Sequence, residues 1–199
     1  IEGVLSAVIC ISDPLREEAK DVLSALRGLG VKNAVMLTGD SPRTAAAIAA
    51  QLGVDDFQAG VLPADKADYV AALRREGHTV LMVGDGINDS PALSEADAGI
   101  AISDGAAIAR EIADITIAAD SLWELVRLRQ LAMALMHRIQ NNYRFVIGFN
   151  GVLIGLGVAG ILPPATSAML HNLSTLGVSL HSMSALPVAG RETKVVKDL

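Results

Sequence analysis

Short apolar runs alternate with helix-like segments through residues 1–120. The runs expected to form buried strands are 4–11, 34–37, 79–83, 99–102 and 115–118. Helices are expected to begin at Asp13-Pro14, Ser41-Pro42, Pro63 and Ser90-Pro91, and glycines end the first three: Gly28 with Gly30, Gly53 and Gly77. A polar cap, an early proline and a glycine after the last turn are typical of helices. Strands alternating with such helices predict a doubly wound α/β fold around a parallel sheet.

The pattern changes after residue 120. Ser121-Leu122-Trp123-Glu124 matches a capping box and predicts a helix that runs past Arg138. Two uncharged stretches follow, 145–162 and 165–186, and Pro163-Pro164 separates them. At a rise of about 1.5 Å per residue, each stretch with its flanks is long enough to cross a hydrocarbon layer of about 30 Å. The pattern predicts a transmembrane hairpin, with a buried helical hairpin of a soluble protein as the alternative.

Basic residues lie outside the two uncharged stretches, before the first and after the second. The positive-inside bias therefore predicts that both ends and the α/β part are cytoplasmic in a protein integral to the cell membrane. The expected organisation is a partial α/β domain at 1–120, a linking helix at 121–138, transmembrane helices at 139–162 and 165–186, and a cytoplasmic tail at 187–199.

Composition narrows the classes of protein that remain. Of the 199 residues 51% are hydrophobic and 3% aromatic, and the mean hydropathy is +0.43, which suggests that part of the chain lies in lipid. A net charge of −6 argues against a nucleic-acid binder. The single cysteine, Cys10, excludes a disulfide framework and a thiolate metal cluster. The chain begins in a strand-like run without methionine, which is typical of a fragment.

Polar residues follow the second apolar run directly. Thr38-Gly39-Asp40 comes after it, and a helix is expected to start at Ser41-Pro42. A hydroxyl and a glycine amide beside a helix N-terminus can bind an anion such as phosphate, although the same residues also suit an ordinary strand-to-helix turn. Lys66 lies near the start of the next helix. It is either a solvated head group or a charge that neutralises a phosphoryl oxygen.

Acidic residues follow the third apolar run. Asp85 sits between two glycines at the expected carboxyl end of a buried strand, the edge where ligands bind in open α/β sheets. A carboxylate there suits Mg²⁺. Asn88 and Asp89 lie on the turn that enters the next helix. Asp-Gly is also a hairpin signal, but residues 91–93, Pro-Ala-Leu, do not form the second alternating strand that a hairpin needs.

These motifs together resemble those of the haloacid-dehalogenase superfamily, as found in P-type ion-pumping ATPases. The stretches "DPLREEA", "MLTGDSPRTAAAIAAQLGV" and "LPADKADYVAALRREGHTVLMVGDGINDSPALSEADAGIAI" look like the heavy-metal-transporting branch. The resemblance implies an incomplete Rossmann-like parallel sheet with helices on both faces, followed by the last two membrane helices of a pump. It also implies ATP and Mg²⁺ as cofactors, a divalent transition metal as cargo, and a missing N-terminal part as partner.

The resemblance assigns a role to each polar residue at the two strand ends. Thr38 and Gly39 would hold the phosphoryl group with Asp40 beside the nucleotide, Lys66 would neutralise phosphoryl charge, Asp85 would bind Mg²⁺, and Asn88 with Asp89 would complete that site. Relatives also carry a nucleophilic aspartate in Asp-Lys-Thr-Gly-Thr, on a strand between the two that end in these motifs. This chain lacks that motif, so we expect a gap in its sheet and no ATP hydrolysis by the chain alone.

Two other functions stay open. A membrane-tethered phosphatase of the same superfamily would need its own Asp-x-Asp after an apolar strand, which the sequence does not offer. The other is a non-catalytic fragment that binds nucleotide, Mg²⁺ or a partner subunit.

The last uncharged stretch contains polar residues that are costly in lipid and for that reason often functional. His171 lies where some relatives carry a His-Glu-Gly-Gly-Thr-like motif, but Asn172 replaces the glutamate. His171 is therefore either a ligand of the transported ion or one side of a helix–helix hydrogen bond. The weaker candidate ligands are Asn142, Asn150, Met169 and Ser174.

Overall fold

A computed structural model describes residues 14–85, 88–102, 111–117 and 121–186. The strand expected at 4–11, Cys10 and the tail expected at 187–199 lie outside the described residues. The chain divides into two compact units, Ile1–Val126 and Arg127–Leu199.

The first unit alternates helices with parallel strands, which confirms the predicted α/β class. Its elements are α1 (Ala19–Gly28), β1 (Val35–Leu37), α2 (Pro42–Leu52), β2 (Asp56–Gln58), α3 (Pro63–Arg75), β3 (Leu81–Gly84), α4 (Ser90–Glu95), β4 (Ala98–Ile102) and β5 (Ile115–Ile117). The helix α2 shows why the boundary signals were informative. Ser41 Oγ accepts the Thr44 amide at its start, and Gly53 ends it with a φ of 70°.

The strands form two parallel sheets, β1-β2 and β3-β4-β5. Val35 is opposite Asp56 in the first sheet, and Leu81 is opposite Ala98 in the second. Within the part of the chain that the structure describes, no strand pairs β1 with β3. The gap expected from the missing nucleophile strand would lie between these two strands and stays a prediction. The strand β2 was not predicted, because only Phe57 is apolar among its three residues.

The core of the first unit is built from small and branched side chains. Ala45, Ala92 and Ala101 have no exposed surface, and Leu93 and Ile100 are 1% exposed. The helix α4 lies so close to β4 that a Cβ on Gly99 would stand 2.6 Å from the Leu93 carbonyl oxygen. This short distance requires glycine in β4 and fixes the helix that follows the third motif.

A recurrent hydrogen bond joins the starts of neighbouring parallel strands. The residue immediately before a strand is an aspartate, and its carboxylate accepts a backbone amide at the beginning of the adjacent strand. The three instances are Asp55 with the Ala34 amide at 2.7 Å, Asp97 with the Val80 amide at 2.8 Å, and Asp114 with the Gly99 amide at 2.8 Å. Each carboxylate thus satisfies a backbone donor at the start of the neighbouring strand.

Arginines from the preceding helices support two of these aspartates. Arg27 donates to Asp55 at 2.8 Å, and Arg74 donates to Asp97 at 3.1 Å. The Arg27 hydrogen bond, followed by the amide of Ala34, lowers the pKa of Asp55 below its ordinary value. The amide of Val80, with a further contribution from Arg74, lowers the pKa of Asp97. Both carboxylates are therefore more acidic than free aspartate.

The described residues of the second unit form two helices, α5 (Trp123–Val158), which begins in the first unit, and α6 (Pro164–Ser182). Most of the residues predicted as a linking helix and as the first membrane helix lie in the single helix α5, which ends before the predicted end at residue 162. Contacts of Asn150 with His171 and of Asn142 with Ser182 show that the helices run antiparallel.

Among the described residues, none of the helices is both long enough and apolar enough to cross a membrane. The transmembrane hairpin predicted from the sequence is therefore not confirmed.

Candidate phosphate site at the ends of β1 and β3

Thr38 and Asp40 form a closed loop immediately after β1. The Thr38 hydroxyl donates to Asp40 Oδ2 at 2.9 Å, and the Asp40 amide donates back to Thr38 Oγ1 at 3.1 Å. The Thr38 amide continues the pairing with β2 by donating to the Gln58 carbonyl at 2.9 Å. The hydroxyl predicted to bind phosphate is thus held at the sheet edge, directly before the N-terminus of α2.

The segment before α3 folds onto this loop. The Gly60 amide donates to the Asp40 carbonyl at 2.9 Å, and the Val61 amide donates to the Thr38 carbonyl at 3.1 Å. The next residue, Leu62, caps α3, and its amide is bound by the Asp65 carboxylate at 3.0 Å. These contacts place the first turn of α3, which carries Lys66, beside the loop that carries Thr38.

Lys66 extends from α3 to the third motif. Its Nζ lies 2.7 Å from Asp89 Oδ1, and the two side chains are only 14% and 15% exposed. The alternative that Lys66 is an ordinary solvated head group is therefore wrong. A lysine that is shielded from water beside the end of β3 can act on the charge of a ligand bound at that place. The lysine charge is screened less by the surrounding protein than it would be by water.

Asp89 is accommodated because β3 ends in glycine. A Cβ on Gly84 would lie 2.5 Å from Asp89 Oδ2 and 2.7 Å from Asp89 Cβ, closer than real Cβ atoms come. This steric role of Gly84 was not predicted from the sequence, because the contact depends on how the turn folds back. Gly86 lies outside the described residues.

The remaining acidic-motif residues lie next to this contact. Asp85 directly follows β3 and is exposed, and Asn88 is exposed beside Asp89. Contacts thus connect the Thr38 loop to the first turn of α3, and Lys66 to Asp89, whereas His171 lies in the second unit on α6. The structure thus links the ends of β1 and β3 through the start of α3, and the candidate ion ligand belongs to the other unit.

The donor set at the end of β3 fits Mg²⁺ in chemistry. Asp85 and Asp89 offer hard carboxylate oxygens, and Mg²⁺ is commonly held by one or two carboxylates together with substrate phosphate and water. No group of three or more metal-ligating side chains occurs among the described residues. Such a site would therefore need oxygens from a bound phosphate or water to complete its coordination.

Comparisons with known proteins show what the chain is similar to. Residues 2–97 match the family of haloacid dehalogenase-like hydrolases. A manganese-exporting P-type ATPase of Mycobacterium leprae and a zinc-exporting P-type ATPase of Mycobacterium marinum are each 43% identical to this chain over 183 residues, which is 92% of the chain and 25% of each relative. The chain thus spans about a quarter of the length of these relatives.

Solved structures extend the comparison to the fold. A zinc-transporting PIB-type ATPase in the E2.Pi state matches with a TM-score of 0.79 and 38% identity, covering 85% of this chain and 28% of that protein. Because the first unit ends at Val126 of 199 residues, a match of this extent includes part of the second unit. The catalytic domain of the CPx-ATPase CopB-B matches with a TM-score of 0.54 and 31% identity over 59% of this chain.

The fold and the site define the α/β unit as a haloacid dehalogenase-like hydrolase domain. Within that class the chain is similar to heavy-metal P-type ATPases, the family whose resemblance the motifs predicted, and it aligns with about a quarter of the length of these pumps.

Proposed function

We propose that this chain is the C-terminal part of an ATP-driven pump that exports a divalent transition-metal ion through an aspartyl-phosphate intermediate. The proposal depends above all on the shielded contact of Lys66 with Asp89 at the end of β3, because it joins two motifs that lie 23 residues apart. A relative that is a manganese-exporting ATPase by name is 43% identical over 92% of this chain, which supports the assignment to pumps. The nucleophilic aspartate would come from a preceding part of the same protein.

The loop after β1 would bind the phosphoryl group. The Thr38 hydroxyl lies before the N-terminus of α2, and its bond to Asp40 can be exchanged for a bond to a phosphoryl oxygen. The Gly39 amide would be a second donor, and the helix terminus favours negative charge. Asp40, exposed on the same loop, would lie beside the nucleotide.

The contact between α3 and β3 would stabilise charge during phosphoryl transfer. Lys66 Nζ is a mobile point charge that can move from Asp89 toward a phosphoryl oxygen. Asp85, with Asp89 and Asn88, would hold Mg²⁺, and the ion when bound supplies further positive charge to the phosphoryl oxygens. Asp89 would thus contact both Lys66 and the metal and keep the two cations apart.

The two-helix unit would lie in the membrane, with the α/β unit in the cytoplasm. Many large apolar side chains of α5 and α6 are exposed, and a lipid environment would cover them. Those more than half exposed are Met136, Tyr143, Phe145, Ile147, Val152, Ile154 and Val158 on α5, with Met169, Leu173, Leu176 and Leu180 on α6. His171 on α6 would be a ligand of the transported ion.

Phosphoenzyme formation tests the catalytic part of the proposal. In the full-length pump that contains this chain, Lys66→Ala should slow phosphorylation by radiolabelled ATP about 10²- to 10³-fold, the usual loss for one preorganised charge. The matched control is Lys32→Ala, which removes an exposed lysine of the same unit and should leave the rate unchanged. Equal rates in the two variants would contradict the role of Lys66.

The isolated 199-residue chain gives a second test. It should form no phosphoenzyme, because covalent catalysis requires the absent nucleophile. A radiolabelled band from the chain alone would refute this and favour a phosphatase-like function. Transport assays of the full-length pump with Zn²⁺, Mn²⁺, Co²⁺, Fe²⁺, Cd²⁺ and Cu⁺, with and without His171→Ala, would identify the ion.

A further inference from the structure

A hydrogen bond between α5 and α6 determines the state of the His171 ring. His171 Nδ1 lies 2.8 Å from Asn150 Oδ1. An amide oxygen can only accept, so in the neutral ring Nδ1 must carry the proton. The lone pair is then on Nε2, which is the nitrogen left to bind a cation.

Neighbouring hydroxyls hold the backbone that carries this ring. Ser174 Oγ and Thr175 Oγ1 both donate to the His171 carbonyl, at 2.8 Å and 3.0 Å. Asn150 is half-buried, whereas His171 is exposed. The amide is therefore held between the helices while the ring remains accessible.

We propose that Asn150 is a positioning residue for cation binding, which keeps the proton on Nδ1 of His171 and presents Nε2 to the transported divalent ion. This inference rests on the proposed function, in which His171 is an ion ligand. A histidine that binds a metal commonly donates its other ring N–H to a fixed acceptor, which sets the tautomer and the ring orientation. Asn150, a candidate ligand on sequence grounds, acts here through the histidine.

The same helix pair offers a matched control. Asn142 Nδ2 donates to Ser182 Oγ at 2.8 Å, so it also joins α5 to α6, two helical turns from Asn150 and without contact to a histidine. Asn142→Leu removes a contact of the same kind. Asn150→Leu removes the acceptor of His171, whereas Asn150→Asp keeps an acceptor oxygen at that position.

Nitrogen NMR of the full chain, labelled with ¹⁵N-histidine in detergent, reads the tautomer directly. At about pH 8.5, chosen to observe the neutral ring, His171 should show a proton on Nδ1 in the unmodified chain, in Asn150→Asp and in Asn142→Leu. Asn150→Leu should shift the ring to a mixture of the two tautomers. His171→Gln identifies the signal. A proton on Nε2 in the unmodified chain, or no effect of Asn150→Leu, would overturn the proposal.

Metal affinity in the full-length pump separates this inference from the proposed function. Asn150→Leu should raise the Zn²⁺ or Mn²⁺ concentration for half-maximal phosphorylation about 10- to 100-fold, the usual cost of losing such an acceptor, and Asn150→Asp should restore it. Unchanged affinity in Asn150→Leu but not in His171→Gln would overturn the positioning role. Unchanged affinity in both would refute His171 as a ligand and with it the ion-presenting part of the inference.

Discussion

The pair of Lys66 and Asp89 should contribute more to stability than an exposed ion pair of the same length. Lys66 Nζ lies 2.7 Å from its carboxylate with side chains 14% and 15% exposed, whereas Arg27 lies 2.8 Å from Asp55 with side chains 35% and 43% exposed. Removing one member of a fully buried pair costs about 3–5 kcal/mol. Because some solvent reaches Lys66 and Asp89, we expect Lys66→Met to cost about 2–3 kcal/mol, the lower part of that scale.

A double-mutant cycle isolates the pair. Lys66→Met leaves the Asp89 carboxylate without its cation, and Asp89→Asn leaves the Lys66 ammonium without its anion. The double variant has neither charge, so it should lose clearly less than the sum of the two single losses. Arg27→Met is the control for removing an exposed cation at the same distance from its carboxylate.

Hydrogen exchange of the full chain in detergent is the measurement, because the amides of β3 and β4 report the opening of their own sheet. Because each difference of about 1.4 kcal/mol corresponds to a tenfold change in an equilibrium constant, Lys66→Met should accelerate the exchange of these amides about 30- to 150-fold. Equal acceleration by Arg27→Met of exchange in its own sheet, read from the amides of β1 and β2, or strictly additive losses in the cycle, would refute the view that shielding makes the contact of Lys66 with Asp89 strong.

Three further outcomes follow from other contacts. Gly84→Ala should abolish ATP-dependent phosphorylation of the full-length pump, because the new Cβ would lie 2.5 Å from Asp89 Oδ2. For the new Cβ of Gly39→Ala the nearest atom would be 3.8 Å away, so this variant should leave hydrogen exchange in β3 unchanged. The folded-state pKa values of Asp55 and Asp97 are lowered, so the stabilisation by these carboxylates is present above the unfolded pKa of 3.8 and is lost as pH falls through the folded pKa values. Asp97→Asn should therefore reduce the stability of the fold at neutral pH. In acid denaturation it should also flatten the decline of stability below about pH 4. The Glu18 carboxylate accepts hydrogen bonds from the Leu122 amide at 2.5 Å and the Ser121 hydroxyl at 3.0 Å. Glu18→Gln should therefore destabilise the first turn of α5 by about 1 kcal/mol, measured as faster hydrogen exchange in that turn. The control Glu17→Gln, at an exposed neighbouring position, should leave this exchange unchanged.

The sequence predicted those features that depend on neighbouring residues. Ser41 and Gly53 bound α2 as expected, and the polar residues after β1 and β3 lie at strand ends as expected. The strand β2 was missed because it is too polar to appear as an apolar run. The helix α1 begins at Ala19, later than Asp13-Pro14 suggested.

Features that depend on tertiary contacts were not predicted. Lys66 and Asp89 are 23 residues apart, and nothing local indicates that they meet. The need for Gly84 became visible only from the position of the Asp89 side chain. The hydrogen bond of His171 was one of two alternatives, and the structure contains it without excluding the other, since the bond occupies only Nδ1.

The two edges of the sheets use aspartate in physically different ways. At the starts of the strands, Asp55 and Asp97 each accept a backbone amide and an arginine, so their charge is compensated by the fold itself. At the end of β3, Asp89 is compensated by the side chain of Lys66, which comes from another helix, and Asp85 follows the strand at an exposed position. Because backbone amides of the neighbouring strands hold Asp55 and Asp97, an aspartate before a parallel strand indicates a structural role. An aspartate after such a strand indicates a binding site.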